Sequence, residues 1–113
     1  LFLSRLDSNR FRTDFNVEGS CNYAFNVVLT NSDTELRNRI ENAFTSEGIE
    51  FRRGSAGGGN QMRQPYLNNI VDDNELKDYP EVEHIHCFGW YIGNYPDLQE
   101  SEVLKLCNVL NNA

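Results

Sequence analysis

Apolar residues recur at helical spacing along one stretch of the chain and crowd together without a sustained period along most of the rest. Tyr23 to Thr30 (Tyr-Ala-Phe-Asn-Val-Val-Leu-Thr) is dense in β-forming side chains between polar flanks, which predicts a strand. Asn31, Ser32 and Asp33 then supply helix-start side chains, and Glu35 suits the positive end of a helix. Leu36, Ile40, Ala43 and Phe44 follow at helical spacing, with Arg37, Arg39, Glu41 and Asn42 on the other face. Gly48 stands where a left-handed residue would end the helix. The pattern predicts an amphipathic helix of about four turns.

Around that helix the signals are shorter. Residues 1–20 carry Leu1, Phe2, Leu3, Leu6, Phe11 and Phe15 among Arg, Asp and Asn, with neither period sustained. They read as an irregular lead-in or a frayed helix that docked on something else, a remnant of an interdomain connection, with several of its apolar residues open to contact with a second body. Ile49 to Arg53 reads as a short second strand, and Tyr66, Leu67, Ile70 and Val71 as a turn of helix or a packed loop. A short helix is expected about Asn74–Asp78, and a third strand or extended segment from Ile85 to Gly93. A last helix starts at Asp97 or Gln99, carries Val103, Leu104, Leu106, Cys107 and Leu110, and ends near Asn111. The expected class is α+β: a small, mostly antiparallel sheet covered on one face by two main helices. Residues 21–113 form its one domain, and the other sheet face is left to solvent or to another body.

Composition narrows the function classes. The chain has 113 residues, enough for a single core but not for a multi-lobed enzyme. Ten basic residues stand against 17 acidic ones, a formal charge of -7, which argues against nonspecific nucleic-acid binding. Cys21, Cys87 and Cys107 are odd in number and lack Cys-x-x-Cys spacing, so reduced thiols in a cytoplasmic setting are expected. No apolar run approaches the roughly 18 residues of a membrane span. The opening at Leu1 without Met points to a fragment or a processed form.

Candidate chemistry gathers at a glycine-rich loop and at a histidine segment. The glycine run Gly57–Gly59 leads into Asn60 and Arg63, and Arg52 and Arg53 precede it. Such a loop lacks the spacing and the Lys-Ser/Thr of a P-loop. It suits either an anionic ligand gripped by Arg or a solvated loop with scattered Arg. His84-Ile85-His86-Cys87, read as extended, puts both histidines on one side and Cys87 on the other. No second His or Cys pair is near in sequence, so no metal is expected. The histidines then read as surface groups, or as one His facing an active-site mouth. No Gly-x-Ser-x-Gly elbow is present, so nucleophilic serine or cysteine chemistry is not expected.

Four segments together carry a resemblance: Gly48-Ile-Glu-Phe-Arg52, Gly59-Asn-Gln-Met-Arg-Gln-Pro65, His84-Ile-His86 and Gly89-Trp-Tyr-Ile-Gly-Asn-Tyr-Pro96. From about Tyr23 to Leu110 the chain resembles the C-terminal small domain of the DegT/DnrJ/StrS sugar aminotransferases. These are fold-type I pyridoxal-phosphate enzymes, and the nearest branch is the nucleotide-sugar 3-dehydrases of lipopolysaccharide and deoxysugar synthesis. The resemblance implies a domain that closes over pyridoxal phosphate (or its amino form) and a nucleotide sugar, both held by a preceding large domain. In that family the large domain also supplies the lysine that bonds the cofactor, or a histidine in its place, and the parent enzyme is a homodimer. The isolated chain is then expected to bind no cofactor, to hold no catalytic residue and to be inactive.

Carried over by position, the substrate- or cofactor-facing residues are Arg52, Asn60, Arg63, Gln64, His86 and Asn94. The resemblance implies that Arg52 or Arg63 holds a carboxylate or sugar-linked group. It implies that Asn60, Gln64 and Asn94 bond hydroxyls or backbone, and that His86 orients a loop. Arg53 departs from the family's usual proline, and the glycines before Asn60 are additional. The competing expectation is a stand-alone interaction or dimerisation module that uses the uncovered sheet face. Neither membrane nor nucleic acid is an expected partner.

Overall fold

Asp33 opens the predicted helix: its Oδ1 accepts the Leu36 N–H at 2.8 Å, in the computed structural model described here. Residues 1–54 and 59–113 are described, so Gly57 and Gly58 of the glycine run lie outside the described residues. The elements in order are α1 (Phe2–Arg5), β1 (Ala24–Val28), α2 (Thr34–Ser46), α3 (Pro80–Phe88), β2 (Gly89–Gly93) and α4 (Glu100–Asn112). Short 3-10 turns at Gln61–Arg63, Pro65–Leu67 and Glu75–Asp78 connect α2 to α3. Leu36, Ile40 and Phe44 form the buried stripe of α2, and Gly48 closes the helix at φ +67°. Asp33→Ala should cost about 1 kcal/mol of stability through the lost cap, read as a lower urea midpoint at unchanged slope.

The class is α+β. β1 and β2 pair antiparallel, with Phe25 opposite Ile92 and Val27 opposite Trp90. Because side chains alternate along a strand, those four share one face. Val27, Trp90 and Ile92 on that face join Ile40 and Phe44 of α2 and Val103, Leu106, Cys107 and Leu110 of α4 in one core, and Phe25 packs against it. Phe44 stands edge-on to the Trp90 ring at 6.4 Å and packs on Phe51 at 5.2 Å. Burial holds the Cys107 thiol above its ordinary pKa. Gln99 and Glu102 make a reciprocal capping box that starts α4.

Two local expectations need correction. The second strand shrinks to one bridge, Arg52 with Tyr91. Beyond it the chain leaves the sheet, because Arg53 turns to Glu41 at 2.6 Å and Gly54 adopts φ +60°. The third strand begins only at Gly89, since residues 80–88 are helical. Pro80 at the first turn, followed by Glu81 and Glu83, is a helix start that overrides the β-forming side chains after it.

The lead-in is also built into the core. Phe2, Leu6 and Phe11 are buried, and Phe11 bridges Leu29 just beyond β1. Arg10 donates to the carbonyls of Asn111 and Ala113 at 2.5 and 2.6 Å, which ties the lead-in to the end of α4.

Candidate functional site

The 3-10 turn Gln61–Arg63 exists because Asn60 caps it: Asn60 Oδ1 accepts the Met62 N–H at 2.9 Å. Asn60 is 1% exposed, so its remaining polar groups need partners inside the protein. Its backbone N–H donates to His86 Nδ1 at 3.0 Å, and its Nδ2 donates to Glu83 Oε1 at 2.6 Å. Arg63 returns to the same carboxylate, Nε donating at 2.8–2.9 Å and one terminal nitrogen at 2.5 Å. Glu83 and His86 stand three residues apart on α3 and so share a side of the helix. One face of one helix therefore holds the Gly-Asn loop at two points.

Backbone permits that approach only because of glycine. A Cβ on Gly59 would lie 2.6 Å from His86 Nδ1 and 2.5 Å from the Gly54 carbonyl carbon, closer than a side chain can come. The bond from Asn60 also fixes the His86 tautomer: Nδ1 accepts, so the proton of the neutral ring sits on Nε2. Burial depresses the His86 pKa, with the Arg63 and Arg53 charges acting the same way and Glu83 opposing them. The Arg63 hydrogen bonds hold the Glu83 carboxyl below its usual range. The pair is half-exposed, so its worth lies more in placing the loop than in global stability.

The six predicted residues fall in separate places. Asn60, Arg63 and His86 come together, and Gln64 follows directly, its N–H donating to Gln61 O at 3.1 Å. Arg63 is neutralised by Glu83 within the fold, which weakens the expectation that it grips an anion. Asn94 closes the far end of the sheet, with Nδ2 donating to Asn22 O at 2.9 Å and its N–H to Tyr23 O at 2.8 Å. Arg52 pairs through its backbone with Tyr91, while its side chain, 55% exposed, lies within reach of the Tyr91 side chain and 3.7 Å from Glu50. It borders a cleft of about 570 Å³ walled by Phe51, Tyr91, Tyr95 and Leu98.

The two histidines do not share a side, contrary to the extended reading. On a helix, residues two apart point nearly opposite ways. His84 Nε2 meets Leu29 O at 2.6 Å and its Nδ1 meets Ser32 Oγ at 3.3 Å, which fastens α3 to the turn before α2. No group of three metal-ligating side chains gathers among the described residues.

Two organising residues escaped the sequence reading, Glu83 and Glu41. Glu41 accepts the Trp90 indole N–H at 2.9 Å and Arg53 Nε at 2.6 Å. Glu83 becomes visible only once Pro80 is taken as a helix start, because the helix then sets it beside His86. No family model, curated protein or solved structure matches the chain.

Proposed function

We propose that this chain is the C-terminal small domain of a pyridoxal-phosphate-dependent nucleotide-sugar aminotransferase or 3-dehydrase of the DegT/DnrJ/StrS type. Its role is to close over cofactor and nucleotide sugar held by a large domain outside these 113 residues, in lipopolysaccharide or deoxysugar synthesis. The parent is a cytoplasmic homodimer. The observation that supports this reading is the convergence of motif segments remote in sequence: the Gly-Asn loop sits on the helix that carries His84-Ile-His86 and runs directly into Gly89-Trp-Tyr-Ile-Gly. Nothing in solvated-loop chemistry requires that junction.

The residues of this chain fit a contributing part and not a cofactor-holding one. Lys77 donates to Asn74 at 2.8 Å and Lys105 pairs with Glu47 at 2.9 Å. Neither lysine takes part in the Asn60–Glu83–His86 cluster. The chemistry that pyridoxal phosphate supplies, an electron sink, then belongs to the large domain. Arg52 would bind from this side, and Asn60 and His86 would position the loop.

Arg52 carries the test. In the polypeptide that joins this domain to its large domain, Arg52→Ala should lower kcat/KM by about 10- to 100-fold, the loss of one charged hydrogen bond. Its exposed side chain leaves the fold unaffected. A kcat/KM within about twofold of the parent's would remove Arg52 from the site and weaken the reading.

A further inference from the structure

We propose that His86 and Glu83, one turn apart on α3, form a two-point latch on the Gly59–Arg63 segment, and that its histidine point opens on protonation. The latch goes beyond the proposed function and does not depend on it. Asn60 N–H can donate to His86 Nδ1 only while that nitrogen has a free lone pair. An imidazolium carries a proton on both nitrogens, so the acceptor becomes a donor and two N–H groups face each other. Gly59 sits so near the ring that a Cβ there would reach 2.6 Å from Nδ1, which leaves little room to absorb the repulsion. The Asn60 amide, buried with its residue, then has to leave the ring to find another acceptor.

The charges around the ring decide when this happens. Glu83 on its own helix favours the imidazolium, while Arg63 from the 3-10 turn and Arg53 from the segment after Phe51 oppose it. Arg53 is itself paired with Glu41 of α2. Burial and the two arginines prevail, so the latched ring holds its proton less tightly than a free histidine does. A group whose pKa falls on latching favours the latched form above its ordinary pKa. That preference fades as pH drops from there toward the depressed value. Glu83 is held below the carboxylate range, so the second point keeps its charge while the first opens. The opening is local: the Asn60 backbone lifts while Arg63 stays on Glu83.

Nitrogen-15 NMR of the chain, titrated from about pH 7.5 to about pH 5, tests the latch. Above the histidine range, His86 should show an unprotonated Nδ1 and a protonated Nε2. As pH falls, exchange of the Asn60 amide, corrected for its intrinsic rate, should rise several-fold together with His86 protonation. The Arg63 Nε–H and the Trp90 indole N–H should hold their shifts. His86→Gln, which keeps a neutral acceptor, should abolish the pH dependence of the Asn60 amide, and the Trp90 indole signal reports that this variant is folded. Two results would overturn the latch: an Asn60 amide indifferent to His86 protonation, or the same pH dependence in His86→Gln. Neither readout involves cofactor, so loss of the proposed function would leave this test standing, and the reverse holds too.

Discussion

Phe44→Ala should destabilise the chain by about 3–5 kcal/mol, the usual cost of removing a fully buried aromatic ring. Phe44 has no exposed surface and lies where α2, the sheet and the 49–51 segment meet, against Trp90 and Phe51. The surrounding rings cannot all collapse into the space left, because Trp90 is tied through its indole N–H to Glu41. Against a domain stability of about 5–15 kcal/mol, such a loss removes a large share of the total. Urea denaturation followed by Trp90 fluorescence is the measurement. A loss below about 1 kcal/mol would show that Phe44 is not central to the core.

The next largest effect is expected at Asn60. Asn60→Ala removes the cap on Met62 and the hydrogen bond to Glu83, together about 2–4 kcal/mol of local stability. The loss should fall on the 59–67 segment and much less on the core, since Asn60 packs on one helix face and not among the core side chains. Limited proteolysis should cut between Gly59 and Leu67 at enzyme levels that spare the parent. Asn60→Asp should not rescue, although it is nearly isosteric and keeps an acceptor for Met62. It sets a second carboxylate against Glu83, which already lies 2.6 Å from the lost amide. Equal protease resistance in parent and Asn60→Ala would mean that the loop is not held through this residue.

Where local signals and burial agree, the fold was legible. Asp33, the Leu36–Ile40–Phe44 stripe and Gly48 each state one part of α2, and all three parts hold. α3 was not legible by apolar content, because Ile85, Phe88 and Trp90 form one apolar run that crosses the helix–strand junction at Gly89. Pro80 carried the deciding signal. The lead-in could not be read at all from periodicity: Phe2 packs with Phe25 while Phe11 bridges Leu29, so no single face repeats.

The site followed the same division. Asn60, Arg63 and His86 were named through the resemblance, but the contacts that join them, directly or through Glu83, were not, since they span 20 to 26 residues of sequence. Glu83 carried no signal of its own in the sequence. It organises the loop only because a helix turns it toward Arg63. Arg52 and Asn94, carried over by the resemblance, stand at the Tyr91 bridge and at the far end of the sheet, apart from that cluster.

The most direct measurement is to mix the chain with pyridoxal phosphate, scan its absorbance, reduce with borohydride and weigh the intact product. No stoichiometric adduct should form, only slow labelling spread over the exposed amines, because Lys77 and Lys105 are held by Asn74 and Glu47. A stoichiometric adduct on one residue would mean that these 113 residues build a cofactor site by themselves, and the assignment of the chain as a contributing small domain would be wrong.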